Sequence, residues 1–339
     1  MRIVLRLLLA LVVLALTAWC AAALNYGPFD APVSAAALAA TGLVTAVSMF
    51  WLRLRRVALP VFAVAVLAFT VFWSTVRPSN DRQWSTPVAV LPSVTVDGDN
   101  FTFHNVRNFQ YRTENDFTPR YYDKTVKLSE LDSVDLLASY WMGDAIAHIF
   151  VSFGFGGRDH LAVSIETRPE KGESYSTITG FFRNFEIFYV VADERDLIGV
   201  RTNHREDPPE QVYLYRTKGP IENARHVFLD YVDTINGLNT EPGWYNTLTT
   251  NCTTSILWHT RMNTGHPPLS WKVLVSGYLP EYLYELGRID TSLPFPELKK
   301  RSQVNAAARA AGDDAPDFSQ KIRAGLPGMG TEGAAAPAN

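Results

Sequence analysis

Three apolar stretches open the chain. Residues 7–29, 31–52 and 57–76 contain no Asp, Glu, Lys, Arg or His, and a single acid, Asp30, separates the first two. A helix that crosses a bilayer needs about 20 mostly apolar residues. The pattern therefore predicts a three-span transmembrane anchor over residues 1–77. A cleaved export signal would explain the first stretch but not the two behind it. Cys20 follows Leu16-Thr17-Ala18-Trp19, and Trp stands where processing to a lipidated cysteine needs a small residue.

Charge gives the anchor a direction. Residues 1–76 carry Arg2, Arg6, Arg53, Arg55 and Arg56 against Asp30 alone, a net charge of +4, which leaves −7 for the remainder. Cytoplasmic flanks attract Lys and Arg, so the N-terminus and the 53–56 loop are expected in the cytoplasm. Three crossings then place everything after Arg77 in the periplasm of a bacterial inner membrane, as a multi-pass protein. No ionisable residue marks a pathway through the spans. The whole chain is near neutral, with 31 Lys+Arg and 34 Asp+Glu, which argues against a nucleic-acid partner.

Beyond the anchor the hydrophobic period changes. Residues 78–100 read as a polar, Pro-containing linker with a lead-in strand, 101–301 as one domain, and 302–339, rich in Ala, Gly, Pro and Asp, as a mostly disordered tail with a short helix at Gln303–Ala311. Leu128–Leu137 reads as a turn or short helix. His148–Phe153 and Leu161–Ile165 are β-rich runs around Gly154, Gly156 and Gly157, a hairpin with a glycine-containing loop. Phe185–Ala192 and Gln211–Arg216 read as strands. A helix should run from Pro220-Ile221 to about Asn236, with Gly237 as its stop, and another from Cys252 to about Met262. The expected class is α+β, with a mostly antiparallel sheet and helices packed on it.

Only two cysteines are present, and Cys252 is the only one beyond the anchor. An exported chain usually pairs its cysteines or lacks them, so a single thiol signals either reactivity or an inert buried side chain. The local sequence favours reactivity. Asn251 is a strong N-cap candidate, which makes Cys252 the first helical residue, where unpaired N–H groups and the helix dipole favour a thiolate. A base is then needed. His148 opens the first hairpin strand, and His160, opening the return strand, is its rival. His226 and His259 read as packing or surface residues, and His204 lies in the charged loop Arg201–Pro209. No C-x-x-C, H-E-x-x-H, G-x-S-x-G or phosphate-loop spacing occurs, so neither a metal nor a cofactor is expected.

The runs Ala147-His148-Ile149-Phe150-Val151-Ser152-Phe153-Gly154-Phe155, Ser164-Ile165-Glu166-Thr167-Arg168 and Tyr245-Asn246-Thr247-Leu248-Thr249-Thr250-Asn251-Cys252-Thr253-Thr254, with Asp193-Glu194-Arg195-Asp196 and Val212-Tyr213-Leu214-Tyr215, resemble the Lnb N-terminal periplasmic domain family over roughly Phe101 to Met262. That family is in turn similar to a circularly permuted NlpC/P60, papain-like fold. The resemblance implies a lipoprotein N-acyltransferase, with a membrane phospholipid as acyl donor and a lipoprotein N-terminus as acceptor. It implies Cys252 as nucleophile and His148 as base. Glu166 either orients the imidazole or holds Arg168 on the same strand. Asn251 caps the helix or donates near the oxyanion, which the N–H groups at 252–254, Thr253 included, would stabilise. Two other readings remain: a thiol amidase or peptidase of the NlpC/P60 type, and an inactive membrane-anchored binding module. Phe181, Phe182, Trp244 and Tyr278 are candidates for an acyl groove or for ordinary core.

Overall fold

The computed structural model describes residues 1–29 and 31–329. They form two compact units. One holds Met1–Arg82, Glu173–Glu186 and Gly243–Thr247, and the other holds the remaining segments.

In the first unit, α1 (Arg2–Tyr26), α2 (Pro32–Ser48) and α3 (Leu52–Thr75) follow the three apolar stretches. Among the described residues only α1 and α3 are long and apolar enough to cross a membrane, so the expectation of three spans is corrected to two. At 17 residues α2 rises about 25 Å, short of the ~30 Å hydrocarbon thickness. Its composition suits packing instead. Ala35, Gly42, Thr45, Ala46 and Ser48 are buried, and a Cβ at Gly42 would lie 1.9 Å from Thr17 Oγ1 of α1. Phe182 packs with Cys20, Ala23, Phe69 and Trp73, and Arg183 Nη1 donates to the Trp73 carbonyl at 2.8 Å.

The second unit is built on one sheet. Its strands are β1 (Ser93–Asp97), β2 (Asn100–Arg107), β5 (Tyr121–Lys127), β6 (Leu131–Tyr140), β7 (Ala147–Phe155), β8 (Asp159–Arg168), β9 (Glu186–Ala192) and β10 (Gln211–Arg216). The order is β1-β2-β9-β8-β7-β6-β10, with β5 on β2, while β3 (Gln110–Tyr111) and β4 (Phe117–Thr118) form a separate ladder. The sheet is mixed rather than mostly antiparallel, because β2 meets β9 in parallel at Arg107↔Ala192. A parallel join needs a long crossover, and here the chain builds β5 to β8 before it returns.

Helices cover both faces. On one, Leu137, Phe150, Ala162, Val190 and Leu214 pack with α4 (Glu194–Leu197), α10 (Asn305–Ala311) and α11 (Phe318–Arg323). On the other, Phe228 of α5 (Ile221–Thr240) sits among the rings of Phe101, Phe103, Phe153 and Phe155 at 5.3–5.8 Å. α6 (Cys252–His259) also lies here, followed by α7 (Trp271–Leu274), α8 (Leu279–Glu285) and α9 (Phe295–Arg301). Helix α5 runs through Gly237 rather than stopping there. Its last turn is held by Asn236, which exchanges hydrogen bonds of 2.8 and 2.9 Å with the Val94 backbone of β1. Leu128–Glu130 is a 3₁₀ turn, after which Leu131–Leu137 is strand, not helix.

Two expected boundaries move. The linker is largely part of the domain: from Gln83 onward it belongs to the second unit, with Trp84 and Val88 buried. The expected loose tail is ordered core over 302–329; residues 330–339 lie outside the described residues. Val304, Ala308, Phe318 and Ile322 are buried. Arg323 Nη1 and Nη2 donate to Glu194 at 2.8 and 2.6 Å, and its Nε donates to Asp135 at 2.8 Å. An Ala- and Gly-rich composition hid this docking, because the apolar anchors are few and the tie is ionic.

Candidate active site

The site begins with the hairpin register. Strands β7 and β8 pair with Val151 opposite Val163 and Gly154 opposite His160, and the chain turns at Gly156 and Gly157, whose φ of 57° and 69° is left-handed. Continued by three residues, this register sets Glu166 across from His148. The side chains follow: His148 Nε2 is 3.6 Å from Glu166 Oε1. Ser164, two residues before Glu166 and so on the same face of β8, bridges them. Its Oγ lies 2.6 Å from His148 Nε2 and donates to Glu166 Oε1 at 2.8 Å. Behind the carboxylate, Arg201 Nη2 donates to Oε1 at 3.0 Å.

Helix α6 delivers the sulfur. Asn251 Oδ1 accepts from the Thr254 N–H at 2.9 Å, and Thr254 Oγ1 accepts from the Asn251 N–H at 3.0 Å. This reciprocal capping box starts the helix at Cys252. Thr253 Oγ1 also donates to Asn251 Oδ1, at 2.8 Å. The Cys252 side chain is 9% exposed. It hydrogen-bonds the His148 imidazole and accepts from the N–H groups of Ile149 and Thr253.

Burial alone would raise the thiol's pKa and lower the imidazole's. Mutual interaction outweighs burial in both. The His148 hydrogen bond, its charge and the two N–H donors bring the Cys252 thiol below its ordinary value. Hydrogen bonds to Cys252 and Glu166 push His148 up to about 9. Burial opposes the Glu166 carboxylate as well, but His148 and Arg201 hold it well below the usual carboxylate range. Both shifts favour a thiolate–imidazolium pair. Cys252 is the first residue of the helix, where a backbone N–H lacks an intrahelical partner and can serve an oxygen.

The structure thus brings together Cys252, His148, Glu166, Asn251 and Thr253. It directs Arg168 elsewhere. The Arg168 guanidinium lies over Trp84 at 4.2 Å and Phe188 at 5.0 Å, and it donates to the Val88 and Ala89 carbonyls at 3.0 and 3.2 Å, clamping the lead-in segment. His160 sits six residues along β8 from Glu166, about 20 Å away along the strand, beside the Glu194–Arg323 pair. Sequence reading missed Ser164 and Arg201. The alternation Ser164-x-Glu166 could have flagged the first. Arg201 lay in a stretch read as a charged loop, yet it is 3% exposed on a π-helical turn, Val200–His204. His204 in the same turn pairs with Asp313 rather than with water.

Residues 117–277 match the model of the Lnb N-terminal periplasmic domain family. This stretch belongs to that family. No curated protein and no solved structure matches the chain. The Lnb match and the two long apolar helices describe a periplasmic domain of a membrane-anchored protein. The matched span starts at β4 and ends after α7, and it contains Cys252, His148, Ser164, Glu166 and Arg201. The Lnb segment therefore holds the whole hydrogen-bonded set, while Arg323 and its helix lie outside it.

Proposed function

We propose that the protein is a membrane-anchored periplasmic thiol acyltransferase. The observation that carries this reading is the hydrogen bond between Cys252 and His148 at a capped helix start, with Glu166 behind the imidazole. The Cys252 thiolate attacks the ester carbonyl of a membrane phospholipid. The C–S bond forms, the ester C–O bond breaks, and the departing alkoxide takes its proton from His148 to leave a lyso-lipid. An amine, here a lipoprotein N-terminus, then attacks the thioester. The C–N bond forms, the C–S bond breaks, and His148 receives the amine proton, restoring the ion pair. The Cys252 N–H stabilises the oxyanion, a contribution of about 3–4 kcal/mol per donor in other enzymes.

The tether confines the catalytic domain to the membrane that holds its lipid. In this reading Arg53, Arg55 and Arg56 lie at the cytoplasmic face and α3 leads out to the periplasm. An N-terminus also in the cytoplasm requires the chain to recross between α1 and α3, for which α2 is short; a periplasmic N-terminus requires no third crossing. Alkaline phosphatase fusions after Gly27 and Arg77 distinguish the two.

A cavity of about 470 Å³ lined by Glu166, Arg201, Arg107 and Lys171 supports a second reading, a thiol amidase or peptidase with a polar substrate. The test is mass spectrometry of lipoprotein N-termini in a strain lacking other N-acyltransferases. Wild type is expected to give N-acylation, and Cys252→Ala and His148→Ala none. Unchanged N-acylation in Cys252→Ala would reject the transferase reading.

A further inference from the structure

Beside the nucleophile's helix lies a cavity of about 190 Å³ that the transfer scheme leaves unused. Thr253, Ile256, Leu257 and Thr260 line it from α6, at the i, i+3, i+4, i+7 spacing of one helix stripe. Val151 of β7 and Ala224 and Val227 of α5 also line it. The lining is mostly apolar, and its two cations are already engaged: Lys218 Nζ lies 2.7 Å from Asp290, and Arg288 Nη2 donates to the Gly265 carbonyl at 2.7 Å. Phe182 and Trp244, candidates for an acyl groove or for ordinary core, belong to the other unit, and Tyr278 packs on Trp271 at 5.3 Å.

The cavity is a half-open apolar groove; such a surface favours an alkyl chain, whereas a polar ligand would lose its water there without compensation. Thr253, the residue after Cys252, is part of the lining. A thioester at Cys252 leaves an alkyl chain that needs an apolar enclosure close to the helix start.

We propose that this cavity holds the acyl chain of the lipid donor while its carbonyl is at Cys252. The proposal deepens the acyl-transfer reading and rests on it. Its test is kept free of the thiol chemistry. The full-length Cys252→Ala protein is placed in lipid nanodiscs containing a phosphatidylethanolamine with a diazirine in its acyl chain. It is irradiated, and adducts are mapped by mass spectrometry. Adducts are expected on the α5 and α6 peptides as well as on α1 and α3. Ala224→Phe, which fills the cavity from α5, should lower the α5 and α6 adducts at least fivefold and leave those on α1 and α3 unchanged; the milder Val227→Leu should give an intermediate drop. Labelling confined to α1 and α3, or equal labelling of α6 with and without Ala224→Phe, overturns the proposal. Failure of the N-acylation test with these adducts present would reject the transfer chemistry alone.

Discussion

Two histidines of the second unit, half-buried His148 and buried His259, each lie against a carboxylate, and their pKa values move in opposite directions. His259 Nδ1 is 2.6 Å from Asp230 and its Nε2 is 2.8 Å from the Tyr189 hydroxyl, with the ring 3.9 Å from that of Tyr231. Burial lowers its pKa. Asp230 opposes this incompletely, and Arg261, which donates to the same carboxylate at 2.9 Å, reinforces the lowering. His148 faces burial too, but its partners are an ionisable thiol and a carboxylate, and it is raised. An imidazole is thus held toward its charged form where two acidic groups face it. It stays neutral where a single carboxylate is shared with an arginine and the other partner is a phenol.

The largest effect should come from separating the two rings by substitution. His148→Ala is expected to slow alkylation of Cys252 by iodoacetamide at pH 7 about 100-fold or more, the lower range of what a positioned base supplies. His259→Ala should change it less than about threefold, since it removes a contact remote from the sulfur; general acid–base contributions of ~10² need hydrogen-bond reach. Equal losses in the two variants would erase the distinction.

A third charge network sharpens the contrast. Three Arg323 nitrogens, both Glu194 oxygens and Asp135 are all engaged with one another, so nothing is left over for chemistry. Arg323→Ala leaves buried Glu194 without its cation, while Asp135 keeps Arg216, and should cost about 3–5 kcal/mol, read by urea titration in detergent. Cys252 alkylation in the still-folded fraction should match wild type.

Glu166→Gln tests the site's own second acidic partner. It keeps the side chain's shape and removes its charge, so the raised His148 pKa should fall toward the ordinary value and alkylation at pH 8 should drop about tenfold, as a loss of roughly one pKa unit implies. A variant indistinguishable from wild type would leave Ser164 alone as the imidazole's support.

These distinctions were only partly legible in the sequence. Cys252 and His148 were visible because a strong N-cap before a lone exported thiol and a histidine at a strand start are local signals. The opposition of Glu166 to His148 was within reach too, because an antiparallel hairpin pairs residues at a constant sum of positions, but it needed the turn placed at Gly156-Gly157. Arg168 was misassigned because side-chain alternation fixes its face and not its partner, and Trp84 lay in a segment read as linker. The parallel β2–β9 join, the docking of Arg323 and the length of α2 depend on contacts between residues 85 or more apart or on helix packing, which no local pattern encodes. His259 looked like packing, and its ties to Tyr189 and Asp230 emerge only when α5 and β9 are brought to α6.

The smallest effect, and the finest test of the comparison, is in the pH dependence of stability. His148 is raised, to about 9. A raised group holds its full stabilisation below its unfolded value, near 6.5, and loses it as pH rises through the folded value. His259 is lowered, so the folded state binds fewer protons there than the unfolded chain, and stability falls as pH drops below about 6.5. Urea midpoints in detergent between pH 5.5 and 9.5 should therefore diverge in opposite directions. Relative to His148→Asn, wild type should lose its advantage between pH 8 and 9.5. Relative to His259→Asn, it should lose ground only at the acidic end. Parallel curves for the two variants would mean that the rings share one electrostatic environment, and that the chemical and structural roles assigned to them have no physical basis.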